Sequence, residues 1–291
     1  MRRFIVVFLC SFAVSFLPAR AEEEWRPVDP ENLVLMDTAY GRIAMELSPR
    51  FAPAHVARFK ALTRAHFYDG QSFYRVIDGF VAQGGIGEGD DKKLSAWPPL
   101  KAEMETPRDA IPFFSLKSPD LFAPDTGFSD GFAAARDDAS AWLVHCSGAL
   151  AFARDDAPDT AASEFYIVIG HAPRRLDRIM SSIGRVIDGM DVVQKFRRGD
   201  PEVESGVIQD PSKRDLILSV AADLPEDVRP RYEIMRTDTE AFATRIEERR
   251  VPEHPFFFRK PPPVLDVCNV TVPVRRAEAA RPPETRARRR K

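Results

Sequence analysis

The stretch Phe73-Tyr74-Arg75-Val76-Ile77-Asp78-Gly79-Phe80-Val81-Ala82-Gln83-Gly84-Gly85 constrains the fold more than any other part of the chain. β-Branched and aromatic residues flank Asp78-Gly79, and an Asp-Gly pair supplies a tight turn with positive φ. The segment therefore reads as two short antiparallel strands. Arg75, Phe80 and Gln83 fall within nine positions on those strands. On a shared face they would form a small apolar spot edged by fixed hydrogen-bond donors. Taken singly, they read as a solvated cation, a core ring and a polar strand end, which is what such residues usually are.

Elements of the same kind surround this hairpin. Residues 33–37 and 42–47 form another hairpin around Thr38-Ala39-Tyr40-Gly41. Ile43, Met45 and Leu47 alternate with Arg42, Ala44 and Glu46, the period of a half-buried strand. Residues 52–64 carry Val56, Phe59, Lys60 and Thr63 at helical spacing, with Pro53 suited to a first turn. Further strands are expected over 148–154, 164–169, 182–187 and 214–221. A second helix is expected over 189–197, with Val192, Val193 and Phe196 as its buried stripe. Twenty-five prolines in 291 residues exceed the usual roughly 5%, in keeping with a loop-rich, mainly β protein. Residues 86–145 show little periodicity and read as a long irregular insert, either a specificity loop or inert packing. Gly85, Gly87 and Gly89 lack the strand-to-helix context of a phosphate loop. The acidic run 155–159 lacks calcium-loop spacing.

Both ends differ in character from the middle. Residues 1–21 have the layout of an export signal. Arg2 and Arg3 precede an apolar run from Phe4 to Leu17, and Ala19-Arg20-Ala21 offers a small-x-small cleavage site. An uncleaved anchor is the alternative. The mature chain would keep Cys146 and Cys268. In an oxidising compartment an even pair suggests a disulfide, and two buried free thiols fit the spacing as well. Residues 22–32 read as a flexible lead-in. Residues 225–250 read as one helix with Ile234, Met235, Phe242 and Ile246 on a loose apolar face, packed on the preceding domain in preference to a partner. Residues 264–274 read as a strand carrying Cys268. The last stretch, 275–291, has eight basic residues against two acidic and reads as a disordered tail.

The formal net charge of −2 leaves no footprint for nucleic acid or for a membrane surface. Beyond the first segment nothing is long and apolar enough for stable membrane insertion. The five histidines show no metal-ligand spacing, and there is neither a nucleophile elbow nor a Cys-x-x-Cys pair. Metal, covalent and redox catalysis therefore have no support in the sequence.

Taken in order, the motifs resemble those of the cyclophilin family of peptidyl-prolyl cis/trans isomerases. Residues 73–85 are similar to its string aromatic-His-Arg-aliphatic-aliphatic-x-Gly-Phe-x-x-Gln-Gly-Gly, with Tyr74 at the His position. Gly41-Arg42-Ile43, the helix from Ala52-Pro53 through Val56 to Phe59, and Phe67-Tyr68-Asp69-Gly70 resemble its opening. Leu150-Ala151-Phe152-Ala153, Ser163-Glu164-Phe165-Tyr166-Ile167, Leu176-Asp177 and Gly184-Arg185-Val186 resemble its second half. The resemblance covers residues 33–222.

It implies a mainly β fold: a closed eight-stranded antiparallel barrel capped by two helices, with residues 223–274 as a helix-plus-strand extension. It also implies a cofactor-free, monomeric, exported (periplasmic or secreted) isomerase acting on proline-containing segments of unfolded or envelope proteins. By resemblance Arg75, Phe80 and Gln83 are catalytic, with Arg75 donating to the prolyl nitrogen. Phe80, Phe152, Tyr166, Leu176 and Met180 would line the proline pocket, and Gln83, Ala153 and Arg154 would hold the substrate backbone. Glu164 stands where the family has Gln, and an ion pair with Arg75 or Arg154 is expected. Arg175 and Met180 replace the family's aromatic and His, which implies weak cyclosporin sensitivity and altered specificity or low turnover. A non-catalytic proline-peptide-binding or scaffold domain on the same fold is the alternative.

Overall fold

A computed structural model of the protein describes residues 24–87 and 95–277. The expected export signal and most of the basic tail lie outside the described residues. A short strand β1 (Trp25–Pro27) precedes the hairpin β2 (Leu33–Thr38) and β3 (Gly41–Leu47), helix α1 (Pro53–Arg64), and the hairpin β4 (Ser72–Val76) and β5 (Val81–Gly85). The insert supplies β6 (Thr106–Pro107), β7 (Phe114–Ser115), β8 (Asp125–Ser129), β9 (Phe132–Arg136) and β10 (Ser140–Leu143). Then come β11 (Ala149–Phe152), β12 (Phe165–Val168), β13 (Ser182–Asp188), the short helix α2 (Met190–Val193) and β14 (Asp215–Ala222). Strand β15 (Tyr232–Met235), helix α3 (Glu240–Arg250) and β16 (Val274–Arg276) complete the described chain.

Eight strands close into a barrel in the order β11-β12-β5-β4-β14-β2-β3-β13, with β13 pairing back onto β11. The pleat decides which side chains fill it. Val34 and Met36 of β2 and Ile43, Met45 and Leu47 of β3 point inward and join Phe73, Phe152, Phe165 and Ile167. Phe59 of α1 meets Phe165 and Phe152 edge-on, at 5.6 and 6.2 Å between ring centroids, and Phe196 stacks on Phe73 at 4.3 Å. Edge-to-face contacts of this kind add to the stabilisation from burial alone. The eight-stranded barrel and its mainly β class are as the sequence reading expected.

The opposite face of β2 and β3 is buried too, which explains the unbroken apolar run Leu33-Val34-Leu35-Met36. Leu33, Leu35 and Ala44 pack into a second core with Phe128, Trp142, Phe242, Ile246 and Val270. The insert is a sheet rather than an irregular loop, in the order β6-β10-β9-β8-β7. It is tied to the barrel at the start of α1. There the Glu103 carboxylate accepts the Ala54 and His55 N–H groups at 3.0 and 2.9 Å, donors that a helix start leaves free.

The ends of the chain depart from the sequence reading. The lead-in contains β1, which pairs with β15, and β16 pairs on the far side of β15. Residues 225–250 are therefore not one helix. Tyr232 and Ile234 alternate with half-buried neighbours in a strand, and α3 starts only after Thr239, whose hydroxyl accepts the Phe242 N–H. Pro225 and Pro230 interrupt helical hydrogen bonding ahead of it. Phe242 and Ile246 pack α3 into the second core, where Phe242 meets Phe114 and Phe128 edge-on. Residues 264–274 are mostly irregular, with a 3-10 turn at Val267–Asn269, and strand β16 begins only at the last of them, Val274. Arg275 and Arg276 belong to that strand, pairing with Glu233 and Asp188. The structure joins Cys146 and Cys268 in a disulfide across 122 positions of sequence.

Candidate active site

Strands β4 and β5 meet at Asp78-Gly79, and Gly79 has φ +70°, a conformation open to glycine without strain. Strict alternation along β4 would put Arg75 on the inward face with Phe73. Instead the pairing slips between Phe73 and Arg75, so that Phe73 faces Gly84 while Arg75 faces Gln83. Bulges re-aim side chains in this way. Phe73 and Val76 stay in the core, and Arg75 turns outward beside Gln83.

The guanidinium is held from two sides. Arg75 Nη1 donates to Gln83 Oε1 at 3.1 Å, and Nε donates to the Ser205 carbonyl at 2.8 Å. Gln83 Nε2 in turn donates to the Tyr74 hydroxyl at 2.6 Å. Partial burial lowers the Arg75 pKa, opposed by the neighbouring Tyr74, and an arginine so placed remains a cation. Ser205 escaped the sequence reading, and Tyr74 entered it only as a departure at the family's His position. Ser205 takes part only through its carbonyl, which no side-chain pattern marks.

Next to this cation lies a separate apolar patch on the outer face of the barrel. Val81, Ala149, Ala151, Tyr166 and Val168 are buried in it, and Phe80, Ala153, Leu176 and Met180 pack half-exposed against them. Of the residues expected to line a proline pocket, Phe80, Tyr166, Leu176 and Met180 do come together here. Phe152 does not. Ala151 and Ala153 take the outward positions of β11 and its continuation, so Phe152 points into the barrel and meets His55 and Phe59 edge-on. On the other side of Gln83 a cavity of about 500 Å³ opens, bordered by Tyr74, Ala153, Arg154, Thr160 and Val207. An apolar patch and a polar-walled cavity that meet at Ala153 suit an extended peptide.

Arg154 reaches this cavity, but its guanidinium is engaged by the carbonyls of Asp155, Asp156 and Ile179 at 2.6, 2.9 and 3.0 Å. Those bonds fold the acidic loop back on itself. Glu164 pairs with neither arginine. Its Oε1 accepts the Ile86 N–H at 2.8 Å beneath the loop that follows β5. Gly85 there has φ +143°, and a Cβ on it would run into the Glu164 carboxylate. Both the geometry and the collision keep this position glycine. Arg175 is exposed.

Burial raises the Glu164 carboxyl from 4.5 to about 7, against the lowering effect of the Tyr74 hydroxyl and the Ile86 and Gly87 N–H groups. A carboxyl raised by folding contributes its full stability below the unfolded value near 4.5. That contribution is lost as pH climbs through about 7. Glu164→Gln removes the titration. In urea unfolding we expect the variant to gain on wild type by about 3 kcal/mol at pH 8 and by almost nothing at pH 4. Parallel pH profiles for the two proteins would contradict this placement of the carboxyl.

The eight-stranded closed barrel thus bears a tethered, outward-facing arginine beside an apolar patch. Comparison with known proteins gives the class of the chain. Residues 33–222 match the family described as cyclophilin type peptidyl-prolyl cis-trans isomerase/CLD. A probable peptidyl-prolyl cis-trans isomerase of Brucella suis is 32% identical over 212 residues, covering 72% of this chain and 93% of that protein. A peptidyl-prolyl cis-trans isomerase of Acinetobacter baylyi is 30% identical over 169 residues, covering 57% and 71%. Among solved structures, the cyclophilin AquaCyp293 from Hirschia baltica superposes with a TM-score of 0.66 at 30% identity, covering 79% of this chain and 89% of that one. The chain belongs to the cyclophilin-type peptidyl-prolyl cis-trans isomerases, and it is an enzyme of that class.

Proposed function

We propose that the protein rotates X-Pro bonds in polypeptides folding outside the cytoplasm, with Arg75 as the catalytic donor. The barrier to rotation is about 18–20 kcal/mol and arises from resonance between the nitrogen lone pair and the carbonyl. In the twisted state that resonance is lost and the prolyl nitrogen becomes a better hydrogen-bond acceptor. A fixed guanidinium beside it then binds the twisted state more tightly than either planar one, which is the requirement for catalysis. The apolar patch around Tyr166 holds the proline ring by burial while the preceding carbonyl turns. No bond forms or breaks.

The observation that carries this reading is the tethering of Arg75 by Gln83 and the Ser205 carbonyl at the edge of the patch. A donor already in position reorganises little as the transition state forms. The Cys146–Cys268 disulfide supports an oxidising compartment, in line with the export signal read in residues 1–21. Partners are then proline-containing segments of unfolded or envelope proteins.

The test is exchange NMR on a short Ala-Pro peptide with the mature protein and no coupled protease. Catalysed cis/trans exchange is the expected result. Peptide binding with exchange no faster than in buffer would instead make the chain a proline-peptide-binding module.

A further inference from the structure

Behind the apolar patch the Tyr166 hydroxyl enters an unbroken chain of buried polar groups. Tyr166 Oη lies 2.8 Å from His145 Nε2, and the two rings are near-parallel at 6.1 Å. His145 is 0% exposed. Its backbone N–H donates to Asp177 Oδ1 at 3.0 Å, and its Nδ1 lies 3.0 Å from the same oxygen. Asp177 Oδ2 accepts from Arg174 Nε at 2.6 Å. The two terminal nitrogens of Arg174 grip the Asp120 carboxylate at 2.9 and 3.1 Å. Asp120 also accepts the Phe122 and Ala123 N–H groups, closing the chain in the insert.

The proton positions follow from the partners. Asp177, a carboxylate beside Arg174, accepts a hydrogen bond from Nδ1–H, which leaves Nε2 as an acceptor. Burial and the Asp177 charge both push the Tyr166 hydroxyl up, so it stays protonated and donates to Nε2. Ser182 Oγ stands 3.5 Å from the same nitrogen, at the outer limit of a hydrogen bond. Burial pulls Arg174 down, and the hydrogen bonds and charges of Asp120 and Asp177 outweigh it, leaving the guanidinium a firmer cation. Every charged group in the chain has hydrogen-bonded partners, with Asp120 and Asp177 sharing the Arg174 guanidinium and each also accepting backbone N–H groups, the condition under which buried networks rigidify what they hold.

What they hold is the patch. Tyr166 belongs to its buried floor, and Leu176, which packs against that floor, lies in the same turn as Arg174 and Asp177. Without an anchor an aromatic ring in this position is kept by packing alone. With one, its position in the plane of the sheet is set by a bond of defined length.

We propose that His145 is a positioning residue for isomerisation. It fixes the Tyr166 ring through the hydroxyl and Leu176 through Asp177, so the insert sets the geometry of the proline patch from behind. This rests on the isomerase reading above. The test uses the mature protein and a saturating Ala-Pro peptide, with His145→Gln, Tyr166→Phe and their combination. Exchange NMR gives kcat and KM, and aromatic NMR gives the flip rate of the Tyr166 ring.

We expect each single change to lower kcat about tenfold with KM within about twofold, as misplacement of a bound group does. The double variant should be no slower than either single one, because both break the same link. The ring should flip faster in His145→Gln. Full kcat in both single variants, losses that multiply in the double, or an unchanged flip rate would each overturn the proposal. Tyr166→Phe keeps the buried shape and decides the kinetic point even if His145→Gln does not fold. An inactive wild type would remove the isomerase reading, and the relay with it. An active wild type matched by its variants would remove the relay alone.

Discussion

Replacing Arg75 by alanine lowers kcat/KM on an X-Pro peptide by about 10²–10³-fold, the effect of deleting one preorganised donor at a reacting centre. The fold should survive. Arg75 is half-buried at the outer face, and the atoms it leaves behind are Gln83 Oε1 and the Ser205 carbonyl. Both lie next to the groove, where water replaces the lost donor at small cost. The melting temperature should therefore move by only a few degrees. Arg75→Lys keeps the charge but not the planar fork that reaches two acceptors at once, so it should recover less than half of the lost free energy. Circular dichroism and exchange NMR on the same samples separate the two readouts. A loss below about threefold with an intact fold would rule out Arg75 as the principal donor.

The second large effect concerns stability. Breaking the Cys146–Cys268 link should cost about 2–5 kcal/mol, because the bond closes a loop of 122 positions. It joins the end of the insert to the C-terminal segment inside the second core, where Val267 and Val270 pack among Phe128 and Trp142. Reduction should lower the urea midpoint of wild type and leave Cys146→Ala/Cys268→Ala unmoved. A wild-type midpoint indifferent to reductant would mean that the thiols are not joined in solution. Cys146 directly follows His145, so the same treatment should also reduce turnover through Tyr166.

What the sequence made legible was local. The hairpin at Asp78-Gly79 depends on residues within a few positions of one another and was readable from the string, whereas the bulge that turns Arg75 outward beside Gln83 was not. Phe152 was assigned to the patch from family order. Counting alternate positions from Ala151 and Ala153 would have turned it inward. The insert's strands were hidden because they are short and poor in β-formers, as in Phe132-Ala133-Ala134-Ala135-Arg136. Strand β15 takes its conformation from β1 and β16, each about forty or more positions away or farther, and no window around residues 225–250 contains them. His145 looked like any isolated histidine. Only the fold brings it to Tyr166 and Asp177.

The closed barrel carries a consequence for the order of events during synthesis. Its second ring neighbour, β2, emerges early, yet its partner β14 ends at Ala222. Until that stretch leaves the ribosome, β2 and β4 each lack a neighbour and the ring stays open. Long-range pairings of this sort are slow to form. A nascent chain truncated before residue 215 should thus be catalytically silent although Arg75, Gln83, Tyr166 and Leu176 have all been made. The candidate site is complete only once the chain through β14 has been made.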